Sequence, residues 1–580
     1  MKENKDKRIR DDRVRDAYNM MLQNKISRRE FIRYASVMGA SLAALGLGAC
    51  ASPTTQSAVQ ASPEVVEKTV VVEKEVQVTQ VVEKMITATP EPTVPGGVKR
   101  GGNINSQFFY STERFNDPAI ISNYFVSNTL RQVAEYLVYV DPDMVVKPAL
   151  ATSWTPSADG KTWDIELREG VKFNHGKTFG ADDVVFTFDR LIDPATGSGF
   201  TGIANYLQPG SIEKVDDLHV KFHCDRAVGD FPYHLYAYMA AVLPSDWGGD
   251  FYKEPWGTGP FTIKEFLPDE KITFQARTDY WDVGVDGKPL PYIDTLEIRN
   301  YPDDASYLDA LTNGEIQLTG ISMATLPQVM GMENIKPTYY QSGGFFNAVI
   351  HVNEKPFDDV KVRQALKIAV DRAKWVQAVY FGYAVPGNDT PLAPIYADAP
   401  DIPPTEQDIE KAKALLAEAG YPNGIDITAR FINDDLSTQT ATWLAASAKD
   451  AGFRIKLEPN PEYWQTWLDD WGEGIIGVSN WGMRSTPSEY FNIAYQSSAA
   501  WNETHWKNQT FDDKLAQYDA SVDPAERKTL LSDLCNLIKD DGGLLTAGHY
   551  KVLYAKSDFL KGMEINPVGF TYYGRAWMNT

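Results

Sequence analysis

Cysteine is nearly absent from this chain: three in 580 residues, at Cys50, Cys224 and Cys535. Three cannot build a disulfide framework, and no two stand at metal-ligand spacing. Histidine is scarce as well, with seven scattered along the chain and no HxH or HExxH arrangement, so no metal centre and no cofactor are expected. No apolar run reaches the roughly 20 residues that a permanent bilayer span requires; the run centred on Val37 to Leu47 is about half that length. Positive charge is short. There are 56 Lys and Arg against 78 Asp and Glu, a formal net charge of -22, and such a chain repels phosphate backbones, which argues against nucleic acid as a partner. Catalytic signatures are missing too. There is no GxSxG. The adjacent carboxylates Asp182-Asp183, Asp303-Asp304 and Asp358-Asp359 stand where helices are expected to start, which the helix dipole explains without chemistry. No catalytic residue is assigned, and an exported enzyme is the reading of another class that this sequence supports least.

What the chain does have is length and aromatic residues: 580 residues with 14 Trp and 29 Tyr. That length exceeds a single compact core, so two or more lobes are expected. The first 33 residues carry 11 basic and 6 acidic residues, the reverse of the remainder. The pair Arg28-Arg29 just before the apolar run resembles a twin-arginine export signal, with ordinary secretion as the alternative. Leu47-Gly48-Ala49-Cys50 resembles a lipoprotein cleavage box. Residues 1–49 are therefore expected to be a signal peptide, Cys50 the lipid-bearing first residue of the mature protein, and the rest extracytoplasmic (periplasmic or cell-surface) and membrane-anchored. Residues 50–99 form a linker rich in Ser, Thr, Pro and Val, with Val-Val-Glu-Lys at 65–68, 71–74 and 81–84. It reads as a disordered tether or a short coiled coil.

Beyond residue 100 the pattern is mixed. Alternation through Thr162 to Arg168 after the turn pair Asp159-Gly160 predicts a strand leaving a hairpin. Ala181 to Leu191 reads as a helix with Asp182 and Asp183 in its first turn. Short strands are expected at Ile272–Ala276 and Leu296–Asn300. After about residue 345 longer helices appear. Asp358 or Asp359 caps one carrying Val362, Leu366, Ala369, Ala373 and Val376 on one face. Asp408 caps another, which Gly420 stops and Pro422 keeps from restarting. Strands return at Ile425–Phe431 and Arg454–Leu457. This is an α/β arrangement.

Five segments then carry a resemblance. They are residues 153–191 (SWTPSADGKTWDIELREGVKFNHGKTFGADDVVFTFDRL), Gly257-Thr258-Gly259-Pro260-Phe261, residues 356–366 (PFDDVKVRQAL), residues 410–422 from Glu410-Lys411-Ala412-Lys413 to Ala419-Gly420-Tyr421-Pro422, and Lys539-Asp540-Asp541-Gly542-Gly543. In this order, over roughly residues 100–580, they resemble extracellular solute-binding protein family 5, the dipeptide-, oligopeptide- and nickel-binding components of ABC importers. The resemblance implies a bilobal periplasmic-binding-protein-like fold (type II, large family 5 form) with two mixed-sheet lobes joined by a hinge. Lobe I would hold residues 100–345 plus 546–580, and lobe II residues 346–545. It implies a monomeric, non-catalytic binder that closes on a solute and docks on an ABC permease.

Peptide binders of that family often carry a Trp followed a few residues later by an Asp that pairs with the peptide α-amine. The matching stretch, Ser479 to Pro487, has Trp481 but no such Asp, and Arg484 stands nearby. A guanidinium is a bidentate partner for carboxylate, so an acidic ligand group is expected here; the alternative is that Arg484 pairs with Glu489. Six tryptophans (464, 467, 471, 481, 501 and 506) fall close together. Helical spacing assigns Trp464, Trp467 and Trp471 to core packing, and leaves Trp481 and Trp501 for the cleft. The candidate ligand contacts are Phe109, Tyr110, Asn480, Trp481, Gly482, Arg484 and Trp501. The expected function is capture of peptides or peptide-like solutes for an ABC importer. Oligosaccharide uptake is the alternative on the same fold, and chelated nickel a weaker one.

Overall fold

The computed structural model describes residues 97–107, 116–121 and 124–579. Arg28, Arg29, Cys50 and the tether up to residue 96 lie outside the described residues, as do Phe109 and Tyr110.

Two large mixed sheets organise the described chain. The first has seven strands, in the order Ile335–Tyr340, Val552–Ser557, Leu318–Gly320, Asn103–Gln107, Thr295–Arg299, Lys271–Ala276 and Phe261–Leu267. The second has six, in the order Ala384–Pro386, Leu544–Tyr550, Phe345–Ile350, Ile475–Trp481, Ile425–Phe431 and Phe453–Pro459. A smaller antiparallel sheet of four strands contains Ala151–Pro156 and Thr162–Leu167, joined through Gly160 at φ +66°. That is the hairpin the Asp159-Gly160 pair signals. The chain passes between the two large sheets twice, from Tyr340 to Phe345 and from Tyr550 to Val552.

Local chemistry sets most helix starts. Asp359 accepts from the Lys361 amide at 2.8 Å, Asp408 from Lys411 at 2.9 Å and Asp303 from Ser306 at 2.8 Å. These bonds satisfy amides that no helical carbonyl can reach. The helix Ala181–Ile192 starts with the Asp183 carboxylate accepting from the Gly180 amide at 2.9 Å. One expectation fails. The face from Val362 to Val376 belongs to two helices, Val360–Ala369 and Arg372–Ala378, separated by extended Val370. Asp371 restarts the second by accepting from the Lys374 amide at 3.1 Å, while its own amide donates to Ser447 Oγ at 2.6 Å.

The six-stranded sheet is covered on one face by these helices. Phe346, Ala348 and Ile350 pack there with Val362, Leu366 and Trp375. Val362 and Leu366 are fully buried, and each contributes about 1.5–3 kcal/mol. The long helix Pro524–Asp541 joins this layer at its C-terminal end, where Arg363 donates to Asp541 Oδ1 at 2.9 Å and Lys367 to the Gly542 carbonyl at 2.8 Å. Near its other end Arg527 stacks over Tyr518 at 4.1 Å and pairs with Asp230, in the segment that follows the four-stranded sheet. Both members of that pair are buried.

Candidate ligand-binding site

The second face of the six-stranded sheet builds the site. Phe345 lies opposite Trp481 and Asn347 opposite Ser479 in the antiparallel pair. Strand alternation turns these four side chains to one side and Phe346, Ala348 and Asn480 to the other. Asn480, expected in the site, therefore stands on the face away from Trp481.

Buried polar groups on the first face need partners. Trp481 Nε1 donates to Glu503 Oε1 at 2.8 Å, and Asn347 Nδ2 donates to the same oxygen at 3.1 Å. Burial pushes the Glu503 carboxyl up to about 7, against the pull of those two donors. Glu503 thus sets the plane of the Trp481 indole from behind.

From Trp481 the rings run outward. Its centroid lies 6.0 Å from Trp501 and 6.4 Å from Trp467; Trp467 is 6.2 Å from Trp501 and 5.9 Å from Trp464. Trp481 is 5% exposed, whereas Trp464 and Trp501 are 42% and 44% exposed. Helical spacing misplaces Trp464. The helix there spans only Tyr463–Thr466, so Trp464, Trp467 and Trp471 share no helical face. Trp471 turns back to donate to the Thr466 carbonyl at 2.7 Å and is the buried one.

The loop after the strand holds the charge. The Arg484 guanidinium lies 5.5 Å from the Trp481 centroid and 6.0 Å from that of Trp501. It makes no ion pair within 4.0 Å and no side-chain hydrogen bond among the described residues, so the pairing with Glu489 is not formed. Glu489 instead accepts from the Ser485 amide at 3.2 Å. Burial of its carboxyl pushes it up to about 7, although the Arg484 charge pulls the other way. Half-buried Tyr238 feels both charges and is raised mainly by its own burial.

Three contacts fix the loop. Tyr396 donates to the Arg484 carbonyl at 2.7 Å, Tyr490 to the Gly482 carbonyl at 2.9 Å, and the Gly343 amide to Met483 Sδ at 3.0 Å. Gly343 and Gly344 lie on the first passage between the large sheets. A Cβ on Gly344 would meet the Tyr550 ring, on the second passage, at 2.4 Å, so glycine is required by close approach. The structure thus brings Arg484, Trp481, Trp501 and Gly482 of the sequence reading together, with Trp481 buried beneath the exposed rings. Beside them stand Trp464, which helical spacing assigns to the core, and Glu503, Tyr396 and Tyr490, which carry no signal in the sequence.

Two sheet-based bodies connected by two passages, with an open aromatic cluster and an unpaired guanidinium at that junction, define a bilobal solute-binding protein. The family model for bacterial extracellular solute-binding proteins, family 5, matches residues 145–503. The chain belongs to that family, whose members bind substrates for ABC importers. It is 28% identical to heme-binding protein A of Haemophilus influenzae over 523 residues, covering 81% of this chain and 92% of that one. It is also 28% identical to the dipeptide-binding protein of Escherichia coli K12 over 463 residues, covering 73% and 84%. The fold matches the ABC transporter substrate-binding protein CtaP of Listeria monocytogenes with a TM-score of 0.73 at 24% identity, covering 83% of this chain and all of that one.

Proposed function

We propose that this solute-binding protein captures peptides, or peptide-like solutes, that present a carboxylate, and delivers them to the permease of an ABC importer. The observation that carries this reading is the free Arg484 guanidinium beside the Trp481 and Trp501 rings. A cation held over apolar rings, with no carboxylate within 4.0 Å among the described residues, offers a bidentate site to a ligand carboxylate, while the exposed rings accept varied side chains. A dipeptide-binding relative supports the peptide class of ligand. The lobes are read as residues 100–345 plus 546–580 and residues 346–545; the two large sheets support two lobes, but strand Leu544–Tyr550 belongs to the six-stranded sheet and moves the second boundary to about residue 551. Residues 1–49 are read as an export signal and Cys50 as the lipid-bearing anchor of a tethered monomer, a reading supported by the sequence alone. The protein binds and hands over; it does not turn its solute over.

A second reading has its own support. Exposed Trp464 and Trp501 faces with one guanidinium also suit a flat macrocycle with carboxylate edges, and a relative is a heme-binding protein.

A thermal-shift panel on the purified chain tests both, using a C-terminally amidated tripeptide without acidic side chains, an aspartate-bearing tripeptide, maltotriose and hemin. At a hundredfold excess over Kd a ligand stabilises its protein by about 2.7 kcal/mol, a readable shift. The acidic peptide is expected to give the largest. A shift with maltotriose and none with either peptide would overturn the peptide reading; a shift with hemin alone would select the second.

A further inference from the structure

A cavity of about 190 Å³ lies in the part of the chain that builds the seven-stranded sheet and the C-terminal segment, and it shares no residue with the tryptophan cluster. That volume is the scale of a single small solute, and less than a peptide needs.

Two charged groups on its wall make no ion pair within 4.0 Å among the described residues. Arg131 is 6% exposed, and its guanidinium is packed among Tyr136, Tyr236 and Phe570 at 3.8, 4.1 and 3.7 Å from their centroids. Its Nε donates to Ser127 Oγ at 3.1 Å and its Nη2 to the Tyr236 carbonyl at 3.2 Å. Nη1 donates to nothing, and no carboxylate lies within 4.0 Å, among the described residues. A guanidinium cannot shed its proton to relieve burial, and aromatic faces offset only part of the lost hydration.

The other charge is Glu564. Tyr139 donates to its Oε2 at 2.8 Å, and no cation lies within 4.0 Å of it among the described residues. The remaining ionisable groups of the wall are already engaged. Asp282 pairs with Arg575 at 2.7 Å, and Glu135 accepts from Tyr280 at 2.6 Å and Trp281 Nε1 at 2.8 Å. The cavity thus offers one positive and one negative group that lack an ion pair among the described residues, Glu564 feeling Arg575 only at longer range, and aromatic rings beside them.

We propose that this cavity is a second binding site, for a free α-amino acid with an apolar side chain. The carboxylate lies on Arg131, the ammonium on Glu564, and the side chain against the rings. A zwitterion complements both charges at once, which neither a simple anion nor a simple cation does.

Isothermal titration of the full purified chain with L-leucine, 3-methylbutylamine and 4-methylpentanoate tests the proposal; the last two are leucine without its carboxylate and without its amine. Leucine is expected to bind saturably, and each half-ligand at least tenfold more weakly, since a charge-assisted hydrogen bond is lost. Glu564→Gln is expected to weaken leucine at least tenfold while keeping its melting temperature, because the amide still accepts from Tyr139. Arg484→Ala is expected to leave leucine affinity unchanged. No saturable leucine binding at millimolar concentration would overturn the proposal. So would equal affinity for the half-ligands, or loss of leucine binding in Arg484→Ala, which would place it at the tryptophan cluster instead.

Discussion

Arg484 and Glu503 act on the same ring by opposite routes, one from the open side and one from within the fold. Arg484→Ala is expected to weaken acidic ligands about tenfold or more and neutral ones little, by titration calorimetry; an equal loss for both would count against a carboxylate contact. Glu503→Gln reads out the buried carboxyl. Its folded pKa of about 7 lies above the ordinary value of 4.5. The folded chain therefore holds a proton there that the unfolded chain has released between those values. Its contribution is full below about pH 4.5 and is lost as pH rises through 7. The glutamine variant is expected to match the parent below about pH 4.5 and to become the more stable as pH rises through 7, by up to about 3 kcal/mol. Urea melts across pH 5–8 measure the gap; a gap independent of pH would mean that the carboxyl is not buried as described.

At the scale of elements, capping chemistry was the most legible part of the sequence. Asp408, Asp359 and Asp303 each stand at a helix start and accept the amide bond that their position predicts. Strand Ile425–Phe431 follows its alternation to the residue. The break at Val370 was not legible, because the apolar spacing runs through it; Ser447, 76 residues away, holds the Asp371 amide. Asp371→Ala is expected to cost about 1 kcal/mol in a denaturant melt, the usual loss for a cap; no change would mean that Ser447 alone fixes the restart. Tryptophan spacing misled for a related reason. A helix of four residues cannot present positions 464, 467 and 471 on one face, and nothing local announces that it ends at Thr466. The missing partner of Arg484 was equally out of reach of the sequence. It depends on Glu489 turning to the Ser485 amide, a choice made by the fold around it.

For the whole molecule, the buried pair Asp230–Arg527 is a polar tie between the segment after the four-stranded sheet and a helix anchored to the six-stranded one. Arg527→Met leaves Asp230 buried without a counter-charge, and a loss of roughly 3–5 kcal/mol is expected. Adding Asp230→Asn is expected to restore much of it; a double variant as weak as the single one would show that the tie is steric. The two passages between the large sheets have a different consequence. Phe345 and His549 are cross-strand partners, so the stretch from Phe345 to Tyr550 begins and ends side by side. A stretch with adjoining ends behaves as a cassette that recombination can exchange whole. Chimeras joined at Gly344 and Lys551 would carry the tryptophan cluster and Arg484 from one parent and the amino acid cavity from the other. Specificity at the two places could then be inherited separately.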